Sequence, residues 1–75
     1  MEVYVQYHGR WDPDVDRQIE EIAGRAHSGR FNLTAQKRDL QFSLTPSRAT
    51  RVIQRLNGTE IGGRNVIASP EPLSL

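Results

Sequence analysis

The order and spacing of apolar residues predict an α+β sandwich in which a four-stranded antiparallel sheet carries two helices on one face. Two observations predict it. Period-two alternation recurs in three stretches and helical spacing in two, giving the order strand, helix, strand, strand, helix, strand. Each helix has one apolar stripe and each of the first three strands one apolar face, so both helices fit over the same side of one sheet and leave the other to water.

The first strand is the alternation of Val3, Val5 and Tyr7 with Tyr4, Gln6 and His8. Asp12-Pro13 opens the first helix, since the carboxylate can accept from early backbone N–H groups and proline tolerates the first helical position. Val15, Ile19, Ile22, Ala23 and Ala26 then form one stripe ending near Gly29, weakened at Gly24 by about 1 kcal/mol relative to alanine. Phe31, Leu33 and Ala35 alternate with Asn32, Thr34 and Gln36, and Leu40, Phe42 and Leu44 with Asp39, Gln41 and Ser43, which predicts a hairpin turning around Lys37 and Arg38. Thr45-Pro46 starts the second helix, whose stripe of Ala49, Val52, Ile53 and Leu56 runs to Asn57-Gly58. A loop containing Ile61, Gly62 and Gly63 leads to a short strand at Val66-Ile67-Ala68, stopped by Pro70 and Pro72.

This βαββαβ order is that of the ferredoxin-like sandwich. Two right-handed crossovers place the strands in the order 4-1-3-2. Seventy-five residues make a single domain over 1–69, with 70–75 as a short C-terminal tail. A chain this short buries only about 60% of the surface it exposes when unfolded, so its core is thin. The absence of cysteine excludes disulfides, thiolate metal sites and thiol nucleophiles, and fits a cytoplasmic location. No apolar run approaches the roughly 20 residues that cross a bilayer, and the N-terminus lacks a secretion signal, so a soluble, unprocessed protein with no membrane partner is expected.

The net charge is only +1, but it is unevenly distributed. Residues 1–23 carry six acids against two bases and residues 24–58 seven bases against Asp39 alone, so the first third is acidic and the middle strongly basic. Arg48, Arg51 and Arg55 are spaced three and four apart, which puts them on one flank of the second helix. As always-charged planar forks they suit an acidic protein surface or phosphates, whereas the bland reading is a solvated flank whose stems cover the core edge and pair with acids of the first helix.

The stretch Leu56-Asn57-Gly58-Thr59-Glu60-Ile61-Gly62-Gly63-Arg64-Asn65-Val66, preceded by Ala49 and Ile53, resembles the end of an RNA-recognition motif domain. Val3-Tyr4-Val5 is similar to that family's first signature strand, with Tyr4 where an aromatic stacks on a base. The resemblance covers about a third of the chain and implies single-stranded nucleic-acid binding on the open face. There Tyr4, Gln6, His8 and Gln41 would meet the bases, with Lys37 and Arg38 supplying positive charge. In that family the third strand also turns two aromatics outward for stacking. Here the outward set is Asp39, Gln41 and Ser43, and a one-residue slip would bury Asp39 in the core. The segment from Arg38 to Phe42 is also similar to strands of small uncharacterised bacterial and phage proteins.

Asp12, Asp14 and Asp16 imitate the start of a calcium loop, but its glycine and glutamate positions hold Arg17 and Ala23. The three acids instead suit the positive N-terminal end of the first helix, where they would also repel an anion. His8 and His27 have no nucleophile and orienting carboxylate in a known arrangement, and a small covered core offers no deep pocket. No enzymatic role, cofactor or metal is therefore expected. The sequence favours a non-catalytic binding module: a protein-binding adaptor, regulator or inhibitor docking through Arg48, Arg51 and Arg55 or through a sheet edge. An atypical single-strand nucleic-acid binder is the alternative, and a homodimer paired along an edge strand fits either.

Overall fold

The computed structural model describes residues 1–73. Strand β1 (Glu2–His8) leads to helix α1 (Pro13–Ala23), the hairpin β2 (Ser28–Asn32) and β3 (Lys37–Ser43), helix α2 (Pro46–Leu56), and a second hairpin of β4 (Glu60–Ile61) and β5 (Arg64–Ser69). The chain is therefore α+β with two helices and an open antiparallel sheet. The sheet differs from the expected one. It has five strands in the order β2-β3-β1-β5-β4, not four in the order 4-1-3-2. The extra edge strand arises because Gly62 and Gly63, both at positive φ (57° and 76°), form a two-residue turn that pairs Ile61 with Arg64. Such turns need positive φ at both central positions, which glycine adopts without steric cost.

Alternation fixes which side of the sheet is covered. Val3 faces Phe42, Val5 faces Leu40 and Ala68, and Tyr7 faces Arg38 and Val66 across the ladders. Together with Val15, Ile19 and Ala23 of α1 and Ala49, Val52 and Leu56 of α2, the apolar members of these pairs form one buried cluster. Leu40 and Phe42 thus lie under the helices, while Asp39, Gln41 and Ser43 face the other side, as the apolar pattern predicts.

Two boundaries are corrected. Helix α1 ends at Ala23 rather than near Gly29, because Gly24 turns to φ 89° and its N–H returns to the Glu20 carbonyl at 2.8 Å. The Glu20 carboxylate then takes the Ala26 N–H at 2.9 Å, outside the helix, so the apolar stripe continues past the last helical turn. In the first hairpin Lys37 and Arg38 belong to β3, and the turn occupies residues 33–36. There the Asn32 side chain accepts from the Ala35 N–H at 2.9 Å and Gln36 adopts φ 53°. This side-chain-stabilised turn takes Leu33, Thr34 and Ala35 out of the sheet and leaves Leu33 77% exposed.

Regular structure ends at Ser69, and Pro72 and Leu73 border a hollow shared with Tyr4, Arg30, Asp39 and Gln41. The end of the 70–75 tail, residues 74 and 75, lies outside the described residues. Among the described residues no helix is long and apolar enough to cross a membrane.

Candidate functional site

The first candidate surface lies on α2. Its N-terminal Thr45-Pro46 sets the helix phase, and the apolar stripe of Ala49, Val52 and Leu56 turns inward, which leaves Arg48, Arg51 and Arg55 exposed along the side nearest α1. These three arginines line a shallow groove whose floor is Ile22 of α1 and Val52 of α2. The groove continues into a hollow bordered by Gln18, Glu21, Ile22, Arg55, Thr59 and Ile61. Arg48 reaches the end of α1, where a Cβ on Gly24 would stand 3.1 Å from its Nη2. Among the described residues none of the three forms an ion pair or side-chain hydrogen bond. Among the described residues the acids of the first helix do not pair with them: Asp14 takes Arg17 at 3.2 Å, Asp16 takes Arg38, Glu20 caps Ala26, and Glu21 borders the same hollow as Arg55 without a salt bridge. Three unneutralised guanidinium groups spaced along one helix flank make a positive potential aimed at solvent.

The second candidate is the face of the sheet away from the helices. Tyr4, Gln6 and His8 lie on it with Lys37, Asp39 and Gln41, so five of the six residues expected for nucleic-acid contact are brought together. Arg38 is not among them. It shares the phase of Leu40 and Phe42 in β3, which turns it under the helices, opposite Tyr7. The face is also more self-contained than a solvated polar surface. Gln6 is buried and donates to Asp39 Oδ1 at 3.0 Å, Lys37 is buried, and Glu2 Oε1 bonds Gln41 Nε2 at 2.7 Å and His27 Nε2 at 2.8 Å. The hydrogen bonds from His27 and then Gln41 hold the Glu2 carboxyl below the usual carboxylate range. Glu2 and Asp39 stand beside Lys37 and Arg30 on this face, so acids and bases are mixed rather than gathered into a phosphate track, and Tyr4 gives it a single aromatic ring for stacking.

A third constellation escaped sequence reasoning. Asp16 is 8% exposed and accepts from Arg38 Nε at 3.1 Å and Nη2 at 2.9 Å, from the Tyr7 hydroxyl at 2.7 Å and from Trp11 Nε1 at 2.8 Å. The Arg38 guanidinium also lies 4.3 Å from the Trp11 ring centroid, and Trp11 stacks on Phe31 with centroids 6.4 Å apart. A carboxylate taken out of water thus has four donors, which is what such burial demands. Trp11 sits in a loop, where periodicity carries no information; its only sequence signal is being the single tryptophan, between two charged residues. Asp12 caps α1 by accepting from the Asp14 N–H at 3.0 Å, so the three aspartates point to three different partners.

Burial pushes the Tyr7 phenol up to about 12, and the adjacent Asp16 carboxylate adds to the shift. The unfolded chain releases this proton near pH 10. Stability is therefore complete below pH 10 and declines as the pH climbs toward 12, by roughly 2–3 kcal/mol for a shift of that size. Urea denaturation from pH 9 to 12 is expected to show this fall in the native chain and not in Tyr7→Phe; equal slopes for both would contradict it.

Comparison of the chain with protein-family models and with curated proteins returns no match.

Proposed function

We propose that this chain is a non-catalytic binding module, a small cytoplasmic adaptor, regulator or inhibitor that docks an acidic protein surface on Arg48, Arg51 and Arg55. The observation that carries the proposal is that all three guanidinium groups are exposed, form no ion pair among the described residues and line a groove with the half-buried Ile22. Charge draws the partner in, and covering the half-buried Ile22 side chain adds to it, since Val52 is already only 4% exposed. An apolar floor with no aromatic side chain in the lining favours a protein over a nucleotide chain, which would need rings to stack on. The architecture is read as ferredoxin-like, with β4 added at one edge; the likeness to RNA-recognition motifs is then one of scaffold, and scaffold alone does not fix function. Pairing of two copies along the outer edge of β2 is compatible with this docking mode, since α2 lies elsewhere.

The test is affinity capture of the tagged chain from lysate of its native cell, with and without nuclease, beside the variant R48E/R51E/R55E. The proposal expects a protein that survives nuclease and disappears with the charge-reversed variant. Loss of all captured protein on nuclease treatment would instead favour single-stranded nucleic acid on the open face through Tyr4, Gln6, His8, Lys37 and Gln41. Capture unaffected by the three reversals would remove α2 from consideration.

A further inference from the structure

Given the α2 flank as the docking surface, we infer that its partner presents an amphipathic α-helix bearing acids on one side and an aliphatic residue toward the groove. The inference rests on that reading of the flank and adds the partner's shape.

Backbone chemistry comes first. The groove is walled by two helices, and within a helix the N–H and C=O groups already bond each other along the axis. Neither wall has a row of free backbone donors and acceptors, so a partner cannot be held as an added strand. Whatever covers the half-buried Ile22 must satisfy its own backbone groups where it is desolvated, and a helix does so internally.

Spacing agrees. At 1.5 Å per residue the three arginines are offset by about 4.5 and 6 Å along the axis, or roughly 10.5 Å in all. Carboxylates at three- and four-residue spacing on a partner helix repeat the same offsets. Alternate residues of an extended strand stand about 6.8 Å apart, so three of them span roughly 13.6 Å and fall out of step with the arginines.

The two rims of the groove also differ in charge. Arg48, Arg51 and Arg55 line the α2 side, whereas the α1 side carries Gln18 and Glu21. A docked helix therefore places its acids against α2 and neutral or basic residues against Glu21, with an aliphatic side chain on Ile22. This is the helix-in-groove mode, read through anchors three, four and seven residues apart.

The full chain, labelled with 15N, is titrated at low salt with two synthetic peptides of identical composition. One is a stapled helix with glutamates at three- and four-residue spacing beside one leucine; the other is its unstapled scramble. A single-stranded dT oligonucleotide is the third ligand. The expected result is at least tenfold tighter binding of the helical peptide, with amide shifts confined to residues 18–25 and 48–56, and loss of that preference in Arg51→Glu. Equal binding of both peptides at the same amides overturns the helical partner while leaving acidic docking intact. No shift in α2 with either peptide, or tighter binding of the oligonucleotide at these arginines, overturns both.

Discussion

Replacing Asp16 with alanine is expected to cost about 3–5 kcal/mol of folding stability, the range for breaking a buried ion pair from one side. The loss is large because Arg38 stays behind. Its side chain is 10% exposed, so removing the carboxylate leaves a guanidinium out of water without its anion. The Trp11 indole N–H loses its acceptor in the same step, and the Tyr7 hydroxyl is left with the Asp12 carbonyl at 3.1 Å. A chain of this length has a total stability of roughly 4–11 kcal/mol, so the loss is a large share of the whole. The isosteric Asp16→Asn keeps a hydrogen-bond acceptor but not the charge, and is expected to fall near alanine if the charge dominates. The double variant Asp16→Ala/Arg38→Met removes both charges and is expected to recover most of the loss. Urea denaturation followed by circular dichroism reads all three, and a cost below about 1 kcal/mol for Asp16→Ala would mean that the pair behaves as a surface contact.

Phe42→Ala is expected to cost a similar 3–5 kcal/mol, because the ring is fully buried and its loss leaves a cavity between β3 and the helices. Its neighbour Ser43 points the other way and is exposed, so Ser43→Ala is expected to stay within about 0.5 kcal/mol. Adjacent residues of one strand thus differ several-fold in effect. A large loss at Ser43 with little at Phe42 would place the strand in the opposite register, with its ring on the open face beside Tyr4.

That register was legible in the sequence because Leu40 and Phe42 alternate with polar residues, and only one phase keeps Asp39 out of the core. Helix α2 was legible for a similar reason, having a proline at its start, glycine after its end and one apolar stripe between. Features that depend on local competition were harder to read. The stripe of α1 runs on to Ala26, yet the left-handed turn at Gly24 ends the helix first. Phe31, Leu33 and Ala35 alternate like a strand, yet the Asn32 side chain bends the last two into a turn. Gly62-Gly63 held the signal for the second hairpin, but two-residue β4 is too short to show alternation.

The candidate site divides in the same way. The arginine flank follows from helical spacing within one element, so the sequence was enough to assemble it. Its lack of acidic partners was not legible, since it depends on where Asp14, Asp16 and Glu20 turn. Arg38 looked like a turn residue available to a ligand because its charge argues against the inward phase that it shares with Leu40 and Phe42. Its partner Asp16 lies 22 residues earlier, and only the packing of α1 against the sheet brings them together.

The proposed function turns on which surface of the chain a protein partner would meet. Adding the captured protein to the 15N-labelled chain and recording which backbone amides shift or broaden tests this most directly. The α2 flank predicts changes in residues 18–25 and 48–56, with residues 2–8 and 37–43 unmoved. Changes confined to residues 2–8 and 37–43 would contradict it and assign binding to the open sheet.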